Sequence, residues 1–244
     1  MPGTETPGDC NNVYECVDCT HDVQRVRTDT LATALDAAPT AAHVVFTQNH
    51  RLGEDLDQLW DDLTDASSRL TAGGWWQTVK SEYDIALPVR SVEFTYGHHG
   101  WHAHVHAVIL FHRKLSTAEH EEIHKALRKR WGQVSAHRGR QAEHVDYTPY
   151  RGGSWRMARY LFKEHPRDHR RSPEDSLTVG DILGLAATGD AEAERLYLEF
   201  SAAQHDRQAT SSRGIDAYVA ERAPHVGPRL DPMFYPPARA QIEC

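Results

Sequence analysis

The 244-residue chain lacks any apolar run near the roughly 18 residues that a membrane-spanning helix needs. It also lacks the charged and then apolar leader that is typical of a secretory signal. Four cysteines are too few for the disulfide framework of a small secreted domain. We therefore expect a soluble, cytoplasmic protein with no membrane partner.

Positive charge is scarce overall, with 27 Lys and Arg against 35 Asp and Glu, for a net charge of −8. The charge is also unevenly distributed. Residues 1–90 hold 6 basic and 15 acidic side chains, whereas residues 125–171 (the basic segment) hold 13 basic and 4 acidic ones. A polyanion responds to such local charge whatever the total. The basic segment favours an anionic partner, although a solvated basic helix would account for its first part, residues 125–130.

Three histidines alternate with small apolar residues in the stretch GWHAHVHAVILF. Period-two alternation is strand geometry, so His102, His104 and His106 should point to one face of a sheet. Three imidazoles on one face suit a metal better than a core. The alternative is chance, because a chain with 17 histidines will place some of them on surface strands.

The preceding stretch, residues 89–96, also alternates, and Gly97-His98-His99-Gly100 is a tight connection. We expect the two strands to form an antiparallel hairpin. Glu93 would then lie beside the histidine face and supply an oxygen ligand. Two histidines and one carboxylate leave coordination positions open, as a substrate-binding metal requires.

Three N-terminal cysteines, Cys10, Cys16 and Cys19, are spaced C-x5-C-x2-C. The second half has the spacing of a zinc knuckle, but a fourth ligand is not evident. His21 or a distant residue such as Cys244 could complete it. A structural Zn²⁺ site and three reduced thiols both remain open.

Periodicity and capping signals predict both strands and helices, with additional helices toward the C-terminus. One helix should begin at a cap on Thr20 or Asp22 and end near Ala38. Gly73-Gly74 should break a helix that starts near Glu54, and Ser116 with Glu119 forms a capping box. The remaining expected strands are 42–47 and 143–147, and the remaining expected helices begin near residues 75, 154, 178, 191 and 214.

The segment RGGSWRMARYLFKEH predicts a helix capped by Ser154, on which Tyr160 and Lys163 share a face. In most proteins such a tyrosine packs against its neighbours and such a lysine is a solvated cation. A metal site elsewhere in the chain favours a catalytic role for the pair, because a phenolate can attack a phosphodiester whose charge is spread over a metal and a lysine.

The block GWHAHVHAVILF, a strand ending at Thr47 before it and ARYLFK after it resemble the ordered motifs of HUH endonucleases. The chain looks most like single-tyrosine rolling-circle replication initiators of small plasmids. The resemblance covers most of residues 10–220. It implies an α+β fold in which helices flank a central antiparallel sheet, with additional C-terminal helices. It also implies three segments: a Cys-containing segment and helix, 1–38; the HUH domain with its central antiparallel sheet, 39–222; and a Pro-rich extended tail, 223–244.

The resemblance also implies roles for particular residues. His104, His106 and Glu93 would hold a divalent metal, Mn²⁺ or Mg²⁺, Tyr160 would be the nucleophile and Lys163 its partner. The reaction would nick single-stranded or hairpin plasmid origin DNA, with a host helicase and polymerase as further partners. The expected DNA contacts are Arg138, Arg140, Arg151, Arg156 and Arg159.

Arg156 marks a departure from some relatives, which carry a glutamate four residues before the tyrosine for hydrolytic release. Other readings of the chain also stay open. A relaxase or transposase would use the same chemistry for mobilisation. A repressor or origin-binding module would keep DNA binding without cleavage, and a zinc-binding structural protein would need neither.

Overall fold

The structure is a computed structural model that describes residues 17–162, 176–204, 210–211 and 213–224. Side chains are described within these ranges except at 17–23, 143, 204 and 210–211. The chain divides into two compact units. The helical unit comprises Met1–Ala37, Gly153–His165 and Asp216–Cys244, and the sheet unit comprises Ala38–Gly152 and Pro166–Ile215.

An antiparallel sheet dominates the sheet unit, with strands in the order β4-β1-β3-β2-β5 and β6 paired to β2. Alternating β-branched and aromatic residues explain why the long central strands form there. The strands described are β1 Thr40–Gln48, β2 Ile85–Gly97, β3 Gly100–Phe111, β4 Ala142–Pro149, β5 Leu177–Thr178 and β6 Thr210–Ser211.

Helices flank this sheet, which confirms the predicted α+β fold. The helices described are α1 Val17–Ala37, α2 Leu56–Leu70, α3 Gly73–Glu82, α4 Thr117–Ala136, α5 Ser154–Phe162, α6 Val179–Ala187, α7 Ala191–Gln204 and α8 Ile215–Arg222. Among the described residues, no helix is long and apolar enough to cross a membrane.

The core of the sheet unit fills the space between one sheet face and helices α2, α4 and α7. Trp60 of α2 stacks on Phe94 of β2 with ring centroids 4.4 Å apart, and Phe200 of α7 joins them. Trp131 of α4 packs against Phe46 of β1 and donates to the Thr47 carbonyl at 2.8 Å. These aromatic contacts bury one face of the sheet. The alternate residues of each strand point to the opposite face.

In the helical unit, α1 packs against α5. Buried side chains include Leu31 and Leu35 of α1 and Ala158 and Leu161 of α5. The sequence-based boundaries had α5 inside the 39–222 segment. Contacts group α5 with α1 because its apolar residues recur at helical spacing and pack against another helix.

Two predicted helix boundaries are wrong. The first helix already includes Val17, so Thr20 and Asp22 lie inside α1 rather than capping it. Gly73 and Gly74 are the first residues of α3, and the break falls at Thr71 and Ala72. The backbone of Gly73 has a φ of 73°, a conformation that glycine adopts at little energetic cost. No side chain caps the start of α3.

The predicted capping box of α4 is present. The Ser116 amide donates to the Glu119 carboxylate at 2.8 Å, and the Ser116 hydroxyl accepts from the Glu119 amide at 3.3 Å. Arg113 pairs with Glu119 at 2.7 Å, and this contact, with those from Ser116, lowers the pKa of Glu119 to about 2. The box stays ionised and intact at neutral pH.

Replacing Ser116 with alanine should lower the free energy of unfolding by about 1 kcal/mol, because the Glu119 amide loses its acceptor. Chemical denaturation at pH 7 measures this change. Ser68→Ala is the matched control: Ser68 is exposed within α2, where alanine is the better helix former. Equal stability of Ser116→Ala and wild type would contradict the capping role.

Candidate metal centre

The candidate metal centre is formed by Glu93 of β2 and by His104 and His106 of β3. Within the described part of the chain, these three form the one group of at least three potential ligands whose donor atoms all lie within 4.8 Å of one another. The His106 Nε2 lies 2.6 Å from Glu93 Oε2, and His104 Nε2 lies 3.6 Å from the same oxygen. The prediction that Glu93 lies beside the histidines is therefore confirmed.

Strand register explains this convergence. Gly97 pairs with Gly100, so only His98 and His99 form the hairpin loop, and Glu93 consequently lies directly opposite His104. Directly opposed residues of an antiparallel pair point to the same face. His106 reaches the same carboxylate from a diagonal position, two residues further along β3.

Burial makes the cluster unusual for ionisable side chains. The side chains of His106, Glu93 and His104 are 4, 12 and 17% exposed. Charged groups are rarely buried unless they are paired or bind a metal. One carboxylate oxygen and two imidazole nitrogens are donors that first-row divalent metals accept. The donor set fits a divalent cation with further positions for other ligands.

Additional histidines extend the cluster along the same sheet face. His43 of β1 contacts His106 with Nε2 and Nδ1 3.2 Å apart. At the other end, His50 stacks on His102, whose ring lies 4.5 Å from that of His104 between centroids. The sequence analysis missed His43 and His50; the signal for His43 was a histidine within the otherwise apolar strand AHVVFT.

Tyr160 lies on α5 in the helical unit and is 47% exposed. Arg156, one turn earlier on the helix, is also exposed, while Arg159 is intermediate. The buried residues of α5 occupy its other side. Ser154 is the first residue of the helix and is buried. Tyr160 therefore lies on an accessible surface of the helix.

Several predicted site residues lie outside the described residues. These are Lys163, Cys10 and Cys16. Cys19 lies within α1, where only its backbone is described. The proposed lysine partner and the N-terminal zinc site therefore remain predictions.

The three predicted DNA-contacting arginines of the sheet unit differ in their surroundings. Arg140 donates to Asp62 at 2.8 Å and to Glu54 at 2.7 Å and is only 11% exposed, so its charge is compensated. Arg138 is exposed and lies 3.4 Å from Asp65. Arg151 is exposed as well. Arg138 and Arg151 remain accessible to an anion, whereas Arg140 holds a loop to α2.

Tyr147 is a second tyrosine of the sheet unit, but it faces away from the cluster. It pairs with Val44 of β1, whereas Val45 pairs with His106, so Tyr147 and His106 lie on opposite faces of the sheet. Its hydroxyl contacts His120 Nδ1 at 2.7 Å, and burial raises its pKa well above the usual range. Tyr147 is therefore unsuited to attack a substrate at the cluster.

No family model, curated protein or solved structure matches this chain.

The wild-type protein should bind one Mn²⁺ per chain, and His106→Ala should weaken binding by more than about 100-fold. Loss of a direct ligand should exceed the roughly 10- to 100-fold cost of losing an outer partner. Isothermal titration of chelator-treated protein measures both affinities.

His144→Ala is the matched control for that titration. His144 lies on β4 on the same sheet face, since it pairs with Thr47, but it is exposed and contacts Asp146 instead. The His144→Ala variant should therefore bind Mn²⁺ with the affinity of the wild type. If His106→Ala and His144→Ala bind equally well, the cluster is not the metal site.

Proposed function

We propose that the protein is a metal-dependent, site-specific single-strand DNA endonuclease and strand transferase that initiates rolling-circle replication of a plasmid. The observation that carries the proposal is the convergence of Glu93, His104 and His106 on one buried point of a sheet face. The order of its motifs along the chain, which resembles that of single-tyrosine HUH initiators, supplies the substrate class.

The donor set favours Mn²⁺ over Mg²⁺. Mg²⁺ prefers oxygen ligands in near-ideal octahedral geometry, and two of the three donors are imidazole nitrogens. A bound divalent cation would draw charge from the non-bridging oxygens of the scissile phosphate and orient it. With three protein ligands, further positions stay open for those oxygens.

Tyr160 supplies the nucleophile in this proposal. Its phenolic oxygen forms a bond to phosphorus while the bond from phosphorus to the 3′ oxygen breaks. The phenol loses a proton and the leaving 3′ oxygen gains one. The products are a 5′-phosphotyrosyl adduct and a free 3′-OH that a polymerase can extend. Exposure of Tyr160 on α5 supports this role, since the hydroxyl must reach a phosphate of a bulky substrate.

Binding of the DNA is assigned to the exposed arginines of the basic segment, Arg138, Arg151 and Arg156, and to the half-buried Arg159. Contacts with phosphates supply most of the affinity of such proteins and make binding weaker as salt rises. Arg140 should contribute less to DNA binding than the sequence suggested, because ion pairs with Glu54 and Asp62 already compensate its charge.

Two histidines and one carboxylate also occur in iron(II) sites that activate oxygen. Two features favour phosphodiester chemistry for this chain. Tyr160 is exposed on a helix surface, and the net positive charge of the basic segment that contains it would attract a polyanion.

Tyr160→Phe should abolish the covalent adduct while leaving fold and DNA affinity intact, because only the attacking oxygen is removed. The measurement incubates protein, Mn²⁺ and labelled single-stranded origin oligonucleotides and resolves adducts on a denaturing gel. Tyr147→Phe is the matched control and should form the adduct like wild type.

Three results would contradict the proposal. An adduct with Tyr160→Phe would mean that another tyrosine attacks. Full cleavage after verified metal removal would make the cluster unnecessary. DNA binding without cleavage by the wild type under all metal conditions would favour a non-catalytic origin-binding module.

Arg156→Glu should raise hydrolytic turnover of the adduct. Arg156 lies one helical turn before Tyr160, and its guanidinium stays protonated, so it cannot activate water. A glutamate at that position could accept a proton from an attacking water. Release of 5′-phosphate DNA from purified adduct measures turnover, with Arg156→Gln as the control for loss of the positive charge. Equal turnover in both variants would exclude this explanation.

A further inference from the structure

His43 of β1 contacts the one cluster histidine that is almost fully buried. Its Nε2 lies 3.2 Å from the Nδ1 of His106, and the two rings are within 10° of parallel. Their centroids are 5.4 Å apart, which is about the sum of that N–N distance and the two ring radii. The rings therefore meet edge to edge, as an in-plane hydrogen bond requires.

Both nitrogens of His106 are consequently engaged. Nε2 faces Glu93 Oε2 at 2.6 Å, and Nδ1 faces His43. The arrangement follows from register: Val45 pairs with His106, so His43, two residues earlier on β1, lies diagonally adjacent on the same face. A continuous series Glu93–His106–His43 spans three neighbouring strands.

We propose that His43 is a positioning residue: it orients His106 and so supports metal binding by the Nε2 of His106. The role rests on the metal site of the proposed function. A neutral imidazole has one nitrogen that donates and one that accepts. When His106 Nε2 binds a cation, its proton must sit on Nδ1, and His43 Nε2 then accepts that hydrogen bond. Such partners of metal-bound histidines fix both tautomer and ring orientation.

A histidine suits this position better than the carboxylate or carbonyl that usually fills it. Without a cation, the short contact to Glu93 calls for a proton on His106 Nε2, which leaves Nδ1 as an acceptor. His43 Nε2 can donate in that state and accept in the metal-bound state, because an imidazole nitrogen is a donor in one neutral tautomer and an acceptor in the other. A carboxylate or carbonyl can only accept. His43 therefore keeps the buried His106 hydrogen-bonded in both states.

The test compares His43→Leu with His43→Gln by isothermal titration of Mn²⁺ into chelator-treated full-length protein. Leucine removes the hydrogen bond and should weaken Mn²⁺ binding by about 10- to 100-fold. The glutamine amide can accept or donate near the position of Nε2, so His43→Gln should bind Mn²⁺ nearly as wild type does. Thermal unfolding of the metal-free variants identifies any loss of fold.

A spectroscopic readout separates orientation from general packing. In protein loaded with diamagnetic Zn²⁺, the Nδ1 proton of His106 should give a resonance protected from solvent exchange in wild type and His43→Gln. That protection should be lost in His43→Leu. Neither measurement involves DNA, so a failure to nick DNA leaves this result unaffected.

Unchanged Mn²⁺ affinity in His43→Leu would overturn the proposal. So would a folded His43→Gln that binds as weakly as His43→Leu, because shape rather than hydrogen bonding would then matter. If the wild type binds no Mn²⁺, the metal site and this role for His43 both fall.

Discussion

The register of the β2–β3 hairpin is the constraint on which the candidate centre depends. A loop of only two residues, His98 and His99, sets Glu93 opposite His104. A slip of one residue would turn every side chain of one strand to the other face. Glu93 would then join the aromatic core and Phe94 the histidine face, so the packing of Phe94 against Trp60 holds Glu93 in register with the histidines.

The two sheet faces carry different kinds of side chain. One face carries Phe46 and Phe94 and packs under Trp131 and Trp60. The other carries a row of histidines across β1 and β3, with Glu93 beside them on β2. Central strands hydrogen-bonded on both sides are rigid, and a metal site needs donors held to within a fraction of an ångström. The same rigidity extends to His43, which contacts His106 from the neighbouring strand.

The arginines of the basic segment fall into two groups, those held in ion pairs and those accessible to solvent. Acidic side chains of α2 and of the loop before it form ion pairs with arginines, as Asp62 and Glu54 do with Arg140. Arg138, Arg151 and Arg156 stay accessible at the surface. Counting basic residues along the sequence therefore overstates the charge available to an anionic partner, because buried or well-formed ion pairs cancel part of it.

Local patterns in the sequence determined the four long strands β1 to β4, the α4 capping box and the pairing of Glu93 with the histidines, whereas the two-residue strands β5 and β6 were not predicted. These features depend on alternation, on a short turn and on contacts three residues apart, all of which are legible within one segment. Only the tertiary structure decided that His43 contacts His106 and that Tyr147 lies on the sheet face opposite the histidines. It also decided that ion pairs compensate the charge of Arg140. Each of these depends on residues more than 60 positions apart or on which strand is the neighbour, and no local periodicity carries that information.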